Sequence, residues 1–298
     1  MIFLDGIGIG KNDSEFNPFV KYGFKTFTDF FNNIPTLENP SLSKDGLYLF
    51  PSDATLGIVG LPQSGTGQAS IFCGENIPKF VGKHYGPNPY TTTIPILKEN
   101  NILVRLKKRG LKSFFANAYP RVFFDYLNSG KRRLSVTTLT CTLSGIRLNT
   151  VTDLRKGNAL TAELTNERWN TKLGYKLPAI TPETAAKRLI RIAQKNDFTL
   201  YEYYLSDHLG HFRLANEFQK LYSELDKFLH EILKLVKEKS NEITLIICSD
   251  HGNLEDLSVK THTLNPALTI SGGFRAENLA SNINDISQIT PAIMKFCL

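Results

Sequence analysis

Cysteine is scarce in this 298-residue chain: four residues (Cys73, Cys141, Cys248, Cys297) lie far apart with no CxxC or framework spacing. That excludes a disulfide scaffold and a thiolate zinc site, and reads as isolated thiols in a reducing compartment. Long hydrophobic runs are also missing. No stretch approaches the roughly 18 apolar residues of a membrane span, and Asp5 and Gly6 interrupt the N-terminus before a signal-peptide core could form. The expectation is a cytoplasmic protein with no membrane partner. Cations outnumber anions, for a net charge of +7, which favours anionic ligands. The basic clusters Lys107-Lys108-Arg109 and Lys131-Arg132-Arg133 are nevertheless short and without interleaved aromatics, so no nucleic-acid partner is expected. Nucleotide and hydrolase signatures fail as well. Gly6, Gly8 and Gly10 miss the dinucleotide spacing, Thr66 stands where a P-loop needs lysine, and Pro62 occupies the first glycine's place in a nucleophile elbow.

What is present is an α/β rhythm. Hydrophobic residues make up 41% of the chain, enough for a large core. Strand-like runs at 1–4, 113–118, 199–205, 243–248 and 267–270 alternate with helical patterns. The helices are predicted at 94–109, from Thr181-Pro182-Glu183-Thr184 to about 195, along Leu214, Phe218, Leu221, Leu225, Phe228, Ile232 and Leu235, and through Ala292 to Phe296. This alternation predicts a three-layer αβα sandwich with a mostly parallel central sheet. Residues 11–50 show only a weak helical pattern at Phe24, Phe27, Phe30 and Phe31. The Thr-, Asn- and Arg-rich stretch 125–182 loses the rhythm, and is predicted to be a small inserted cap on a core built from 1–124 and 183–298.

The residues able to do chemistry stand at strand ends. Asp5 closes the first strand, Asp207 follows the 199–205 run, and Asp250-His251 follow the 243–248 run, where Gly252 turns the chain. Asp207 and His211, four apart, would share one helix face with about 5–6 Å between β-carbons. Ser64 and Thr66 are hydroxyls just ahead of a helix predicted to begin near Ala69, where free N–H groups favour phosphate. In sheets of this kind ligands bind outside the carboxyl ends of the strands, so these residues converge on one rim. Carboxylates and imidazoles without thiolate suit Mn²⁺ or Zn²⁺. His84 reads as a loop histidine, His230 as part of the long helix, and His208 as a neighbour of the ligands.

Taken together, Asp5-Gly6, Ser64-Gly65-Thr66-Gly67-Gln68, Asp207 with Gly210-His211, Asp250-His251-Gly252-Asn253 and His262-Thr263 with Asn265-Pro266 resemble the alkaline phosphatase-like metalloenzyme superfamily. Among its members, cofactor-independent phosphoglycerate mutase and phosphopentomutase are the most similar. The resemblance implies two divalent ions, one held by Asp5, Ser64, Asp250 and His251 and the other by Asp207, His211 and His262. It aligns Ser64 with the family's nucleophile, with Thr66 as runner-up, although Gln68 replaces the motif's histidine. The sulfatase signature is missing around Cys73. The activity expected is that of a phosphohydrolase acting on a small phosphorylated substrate through a phosphoserine. The alternatives are a mutase-like phosphotransferase and a non-catalytic metal- or phosphate-binding protein. Hydrolysis is favoured because family mutases exclude water with a large inserted domain, whereas 125–182 is short; against this, Arg132, Arg133, Arg147 and Arg155 could hold a sugar phosphate there.

Overall fold

The computed structural model describes residues 1–130 and 133–298. Among these, seven strands form one sheet: β1 (Ile2–Leu4), β2 (Leu42–Lys44), β3 (Leu47–Ser52), β4 (Ser113–Phe115), β5 (Phe198–Tyr203), β6 (Thr244–Cys248) and β7 (Ala267–Gly273). Their order is β2-β3-β7-β6-β1-β5-β4. The central pairs β6/β1, β1/β5 and β5/β4 are parallel; β7 runs antiparallel to both β6 and β3, and β2 antiparallel to β3. The sheet is therefore mixed but mostly one-directional. The β2–β3 hairpin lies in the stretch where the sequence showed only a weak helical pattern.

Alternation of side chains along each strand explains the three layers. Ile2, Leu4, Tyr201, Tyr203, Leu245 and Ile247 face one side, where they pack with Phe27, Leu225, Phe228 and Ile232 from the helices Lys25–Phe31 and Phe218–Glu238, and with Phe24 just ahead of the first of these. Phe3, Leu200, Ile246 and Cys248 face the other, against Phe72, Leu97, Leu103 and Ile293 from four helices on that side. Burying a side chain of this size contributes roughly 1.5–3 kcal/mol each, and both faces are covered.

Three helix boundaries differ from expectation. The helix predicted near Ala69 begins at Ser64 and runs to Cys73, so Ser64 is its first residue rather than a group ahead of it. The 94–109 helix is two, Ile94–Asn100 and Ile102–Lys108, because Asn101 leaves helical geometry and its side chain caps Val104 N–H. The pattern from Leu214 does not continue the helix Leu205–Gly210; Phe212 takes a left-handed φ of 58°, and the long helix starts afresh at Phe218. Thr181 does cap its helix, with Pro182 next to it.

Within 125–182, the helix Val136–Leu143 packs on the Ser64–Cys73 helix, and its Val136 and Cys141 belong to the core. Leu154, Ala159, Trp169 and Leu177 form a small cluster of their own with Ala118.

Candidate metal centre

Strand order places three aspartates side by side. Because β6, β1 and β5 are adjacent and parallel, Asp250, Asp5 and Asp207 leave the sheet at the same rim. The turns holding them are tight. Gly6 has a φ of +67°, and a β-carbon there would lie 2.8 Å from Asp207 Oδ1. At Gly210 a β-carbon would come within 2.5 Å of Asn253. Asn253 uses that room to donate from Nδ2 to Asp207 Oδ1 at 2.7 Å.

Two groups of ligand atoms result. On one side His251 Nε2 lies 3.4 Å from Asp5 Oδ1, 3.5 Å from Asp250 Oδ2 and 3.0 Å from Ser64 Oγ. On the other, His211 Nε2 is 3.3 Å from Asp207 Oδ1 and 3.1 Å from His262 Nε2, and His262 Nε2 is 3.6 Å from the same Asp207 oxygen. The His251 and His262 rings stack at 3.7 Å between the groups, and His251 is also close enough to Asp207 and His262 to share an ion with them. All seven residues predicted as ligands are thus brought together. Asp250 and His251, neighbours in sequence, converge because the chain turns at the end of β6.

The donor chemistry fits cations. Each of the three histidines points Nδ1 at a backbone carbonyl, Lys260 for His211, Pro62 for His262 and Gly252 for His251. A carbonyl can only accept, so Nδ1 carries the proton and the neutral ring offers its Nε2 lone pair to the site. With both rings neutral, His211 and His262 face each other at 3.1 Å with two lone pairs and no hydrogen between them, a place that a metal cation would take and that a proton takes without one. Asp5 Oδ1 and Asp250 Oδ2 are buried without a hydrogen-bond partner, as ligand atoms awaiting a metal would be. Burial, and then the charges of Asp250 and Asp207, push the Asp5 carboxyl well above its usual range. Burial opposes ionisation of Asp207 too, but hydrogen bonds from His211 and His262 outweigh it and hold its pKa low. For His262 burial works against the proton and the bonds to Asp207 and Pro62 prevail, raising its pKa; for His251 burial prevails and lowers it.

Ser64 sits in the first turn of its helix and on the wall of a 320 Å³ cavity with Asp5, Gln68 and Asp207. Thr66 is different: fully buried, its hydroxyl shares its one proton between the Gln63 and Tyr85 carbonyls and accepts from Tyr85 N–H. Gln68 Nε2 reaches Asp5 Oδ2 at 3.5 Å. His208 lines the same cavity, whereas His84 bonds the Ile58 carbonyl and His230 pairs with Asp29, both away from it. Of the arginines expected over the site, Arg133 lines the cavity. Arg147 instead pairs with Asp153 at 2.7 Å, Arg155 lines a separate basic cavity, and Arg132 lies outside the described residues.

Several residues that surround the site escaped the sequence. Glu255 is 1% exposed and accepts from Gly8 N–H, Asn253 N–H, the Thr263 hydroxyl and Asn265 Nδ2, stapling together the loops that follow the candidate ligands Asp5, His251 and His262. Its place in the Asp250–Asp256 run was the one available signal. Glu202 on β5 faces the cavity, bonded by Thr137 Oγ1 at 2.6 Å, with its carboxyl pushed up to about 7 by burial, partly countered by that bond. Arg213, Tyr119 and Tyr204 complete the wall. Next door, a 240 Å³ cavity shares Tyr119, Glu202 and Tyr204 and adds Arg168, Trp169 and Lys172.

A mixed sheet between two helical layers, with three aspartates and three histidines gathered at the carboxyl ends of its parallel strands, defines a metalloenzyme of the alkaline phosphatase-like fold. The family model described as the metalloenzyme superfamily matches residues 139–297, and the chain belongs to that family. Divalent metal cofactors come with that membership. Solved structures share the fold. The PH0037 protein from Pyrococcus horikoshii aligns with a TM-score of 0.54 at 15% identity, covering 99% of this chain and 96% of that one. The alkaline phosphatase from the Antarctic bacterium TAB5 gives 0.50 at 13% identity, with 99% and 96% covered. The lipoteichoic acid synthase LtaP from Listeria monocytogenes gives 0.51 at 10% identity, with 100% and 71% covered. No curated protein sequence matches. Among the described residues, no helix is long and apolar enough to cross a membrane.

Proposed function

We propose that this chain is a two-metal-dependent phosphohydrolase that passes the phosphoryl group of a small phosphorylated substrate to Ser64 and then to water. The observation that carries the reading is Ser64 itself: its Oγ faces the cavity at a helix N-terminus, 3.0 Å from His251 Nε2 and beside both groups of ligand atoms. Divalent ions there, Mn²⁺ or Zn²⁺, would supply positive charge to the phosphoryl oxygens and acidify the serine hydroxyl. Asp5, Asp250, His251 and Ser64 would hold one, and Asp207, His211 and His262 the other.

The chain's own groups do the rest. In the first turn of the Ser64–Cys73 helix Thr66 and Gly67 N–H bond to the Tyr85 and Gln63 carbonyls, which leaves the Ser64 and Gly65 N–H groups and the positive end of the dipole to favour the phosphate. Arg133 and Arg213 on the cavity wall offer donors to its oxygens. Trp169, Tyr119 and Tyr204 form an aromatic wall for the alcohol part in the adjoining cavity. The Ser64 Oγ–P bond forms as the P–O bond to the alcohol breaks, the serine proton leaving with the alcohol. Water then attacks phosphorus, releasing phosphate and restoring the hydroxyl. The fixed bonds of Thr66 support Ser64 over it as nucleophile. A cap drawn from 125–182 is small, which supports water reaching the phosphoserine, and the four free thiols support a cytoplasmic setting.

Metal-loaded protein incubated with 3-phosphoglycerate, ribose 1-phosphate and a panel of monoesters and diesters, followed by phosphorus NMR, tests this. Free phosphate without isomers is the expected result. Isomer formation faster than phosphate release would replace hydrolase with mutase, and turnover of nothing in the panel would favour a binding role.

A further inference from the structure

A second concentration of charge lies away from the metal centre. Arg155 and Lys156, at the end of the helix Val151–Arg155, face Lys187, Arg188 and Arg191 of the helix Pro182–Ala193 across a 430 Å³ cavity. This cavity shares no lining residue with the metal cavity. Lys187 has a carboxylate partner, Glu231 at 3.5 Å. Among the described residues, no carboxylate lies within ion-pair distance of Arg155, Lys156, Arg188 or Arg191.

Two of the guanidiniums, on half-buried Arg188 and exposed Arg191, are anchored to backbone carbonyls. Arg188 Nη1 donates to the Ala159 carbonyl at 3.2 Å, and Arg191 Nη2 to the Gly157 carbonyl at 2.6 Å. Gly157 makes this possible: with a φ of +67°, it leaves open a position where a β-carbon would lie 3.1 Å from Arg191 Nη2. Each fork thus has one arm anchored and the others free for a ligand. Holding like charges together costs free energy, and burial followed by the Arg191 charge holds Arg188 below the ordinary guanidinium value. An anion in the cavity would relieve that cost. Arg191 also lines an adjoining 320 Å³ cavity with Lys112 and Lys195, where Arg147 is already paired with Asp153, so two further lysines extend the basic lining beyond the reach of a single phosphate.

From this geometry we infer that the cleft between the helices Val151–Arg155 and Pro182–Ala193 is a binding site for a small linear oligophosphate, two or three linked phosphate groups, separate from the metal centre. Guanidinium forks match phosphate oxygens two at a time, and a chain of phosphates presents the multiple charge that four uncompensated cations require.

Isothermal titration calorimetry with sodium tripolyphosphate, on the full chain purified without added metal, tests the site. The expected result is one tripolyphosphate per chain, bound more tightly than orthophosphate and more weakly as salt rises. Arg155 and Lys156 are exposed, so the double variant Arg155→Gln/Lys156→Gln should keep its melting temperature while binding weakens about tenfold or more. Arg188→Lys, which keeps the charge but loses the fork, should fall between. Lys107→Gln/Lys108→Gln removes the same charge elsewhere and should leave binding unchanged. Absence of binding, full affinity in the Arg155/Lys156 variant, or an equal loss in the Lys107/Lys108 control would each overturn the proposal. The metal-site reading stands or falls separately, because the two cavities share no residue.

Discussion

Ser64 and His251 are 187 positions apart in sequence, yet Ser64 Oγ lies 3.0 Å from His251 Nε2. The contact joins the helix Ser64–Cys73 to the turn after β6. Its geometry is what a shared ion would hold: a hydroxyl and an imidazole lone pair, with Asp5 and Asp250 oxygens within 3.5 Å of the same nitrogen.

Ser64→Ala should therefore lower kcat by about a thousandfold or more, the range seen when a nucleophile is removed from a covalent mechanism. Acid-quenched turnover mixtures should carry phosphate on Ser64 by peptide mass spectrometry. Thr66→Val should behave otherwise, lowering the melting temperature through the lost Gln63 and Tyr85 bonds while leaving phosphorylation of Ser64 intact. Phosphate on Thr66 would reverse the assignment.

Metal stoichiometry is a second measurement. Reconstituted protein should contain two divalent ions per chain by elemental analysis, and His211→Ala or His262→Ala should retain about one. Chelation should also reduce stability, since an ion present at about 100 times its dissociation constant stabilises the fold by roughly 2.7 kcal/mol. Unchanged activity and melting temperature after exhaustive chelation would remove the metal centre.

Glu255 offers a test of positioning apart from ligation. Its two oxygens each receive two donors, so Glu255→Gln sets an amide N–H against donors in a buried site, costing about 1–3 kcal/mol. Because those donors belong to the loops that follow Asp5, His251 and His262, metal affinity should drop by about 10–100-fold as well. Loss of stability with metal affinity preserved would reduce Glu255 to a structural residue.

For Glu202 the expectation concerns pH. Its folded pKa of about 7 lies above the ordinary 4.5, chiefly through burial, so the folded state binds its proton more tightly than the unfolded state does. The sign follows: this contribution is fully present below pH 4.5, falls as pH rises, and is lost above about 7. In metal-free protein Glu202→Gln keeps an acceptor for Thr137 and carries no charge, so stability should be less dependent on pH across that window. At pH 8 the variant should be the more stable by about 2–3 kcal/mol in urea denaturation. Parallel pH profiles for the two proteins would contradict this.

Local chemistry was enough to read much of this protein from its residues in order. The apolar runs ending in Asp5, Asp207 and Asp250 identified strands and their carboxyl ends, and the four-residue spacing of Asp207 and His211 put both on one helical turn. The helix capped by Thr181 was legible for the same reason, since caps and periodicity act over a few neighbouring residues. What could not be read were relations between segments distant in sequence. The direction of β7, and the β2–β3 hairpin beyond it, depend on pairing with strands elsewhere in the chain. The burial of Thr137 and Cys141 depends on the Val136–Leu143 helix docking against the helix of Ser64, which a Thr-rich composition does not announce. Glu255 and Glu202 looked like ordinary carboxylates; only packing showed one to be bound by four donors and the other held beside the cavity. The residue types at the strand ends were set by the sequence, and tertiary structure decided which of them meet, because a ligand set is defined by distances across loops and strands that no local propensity encodes.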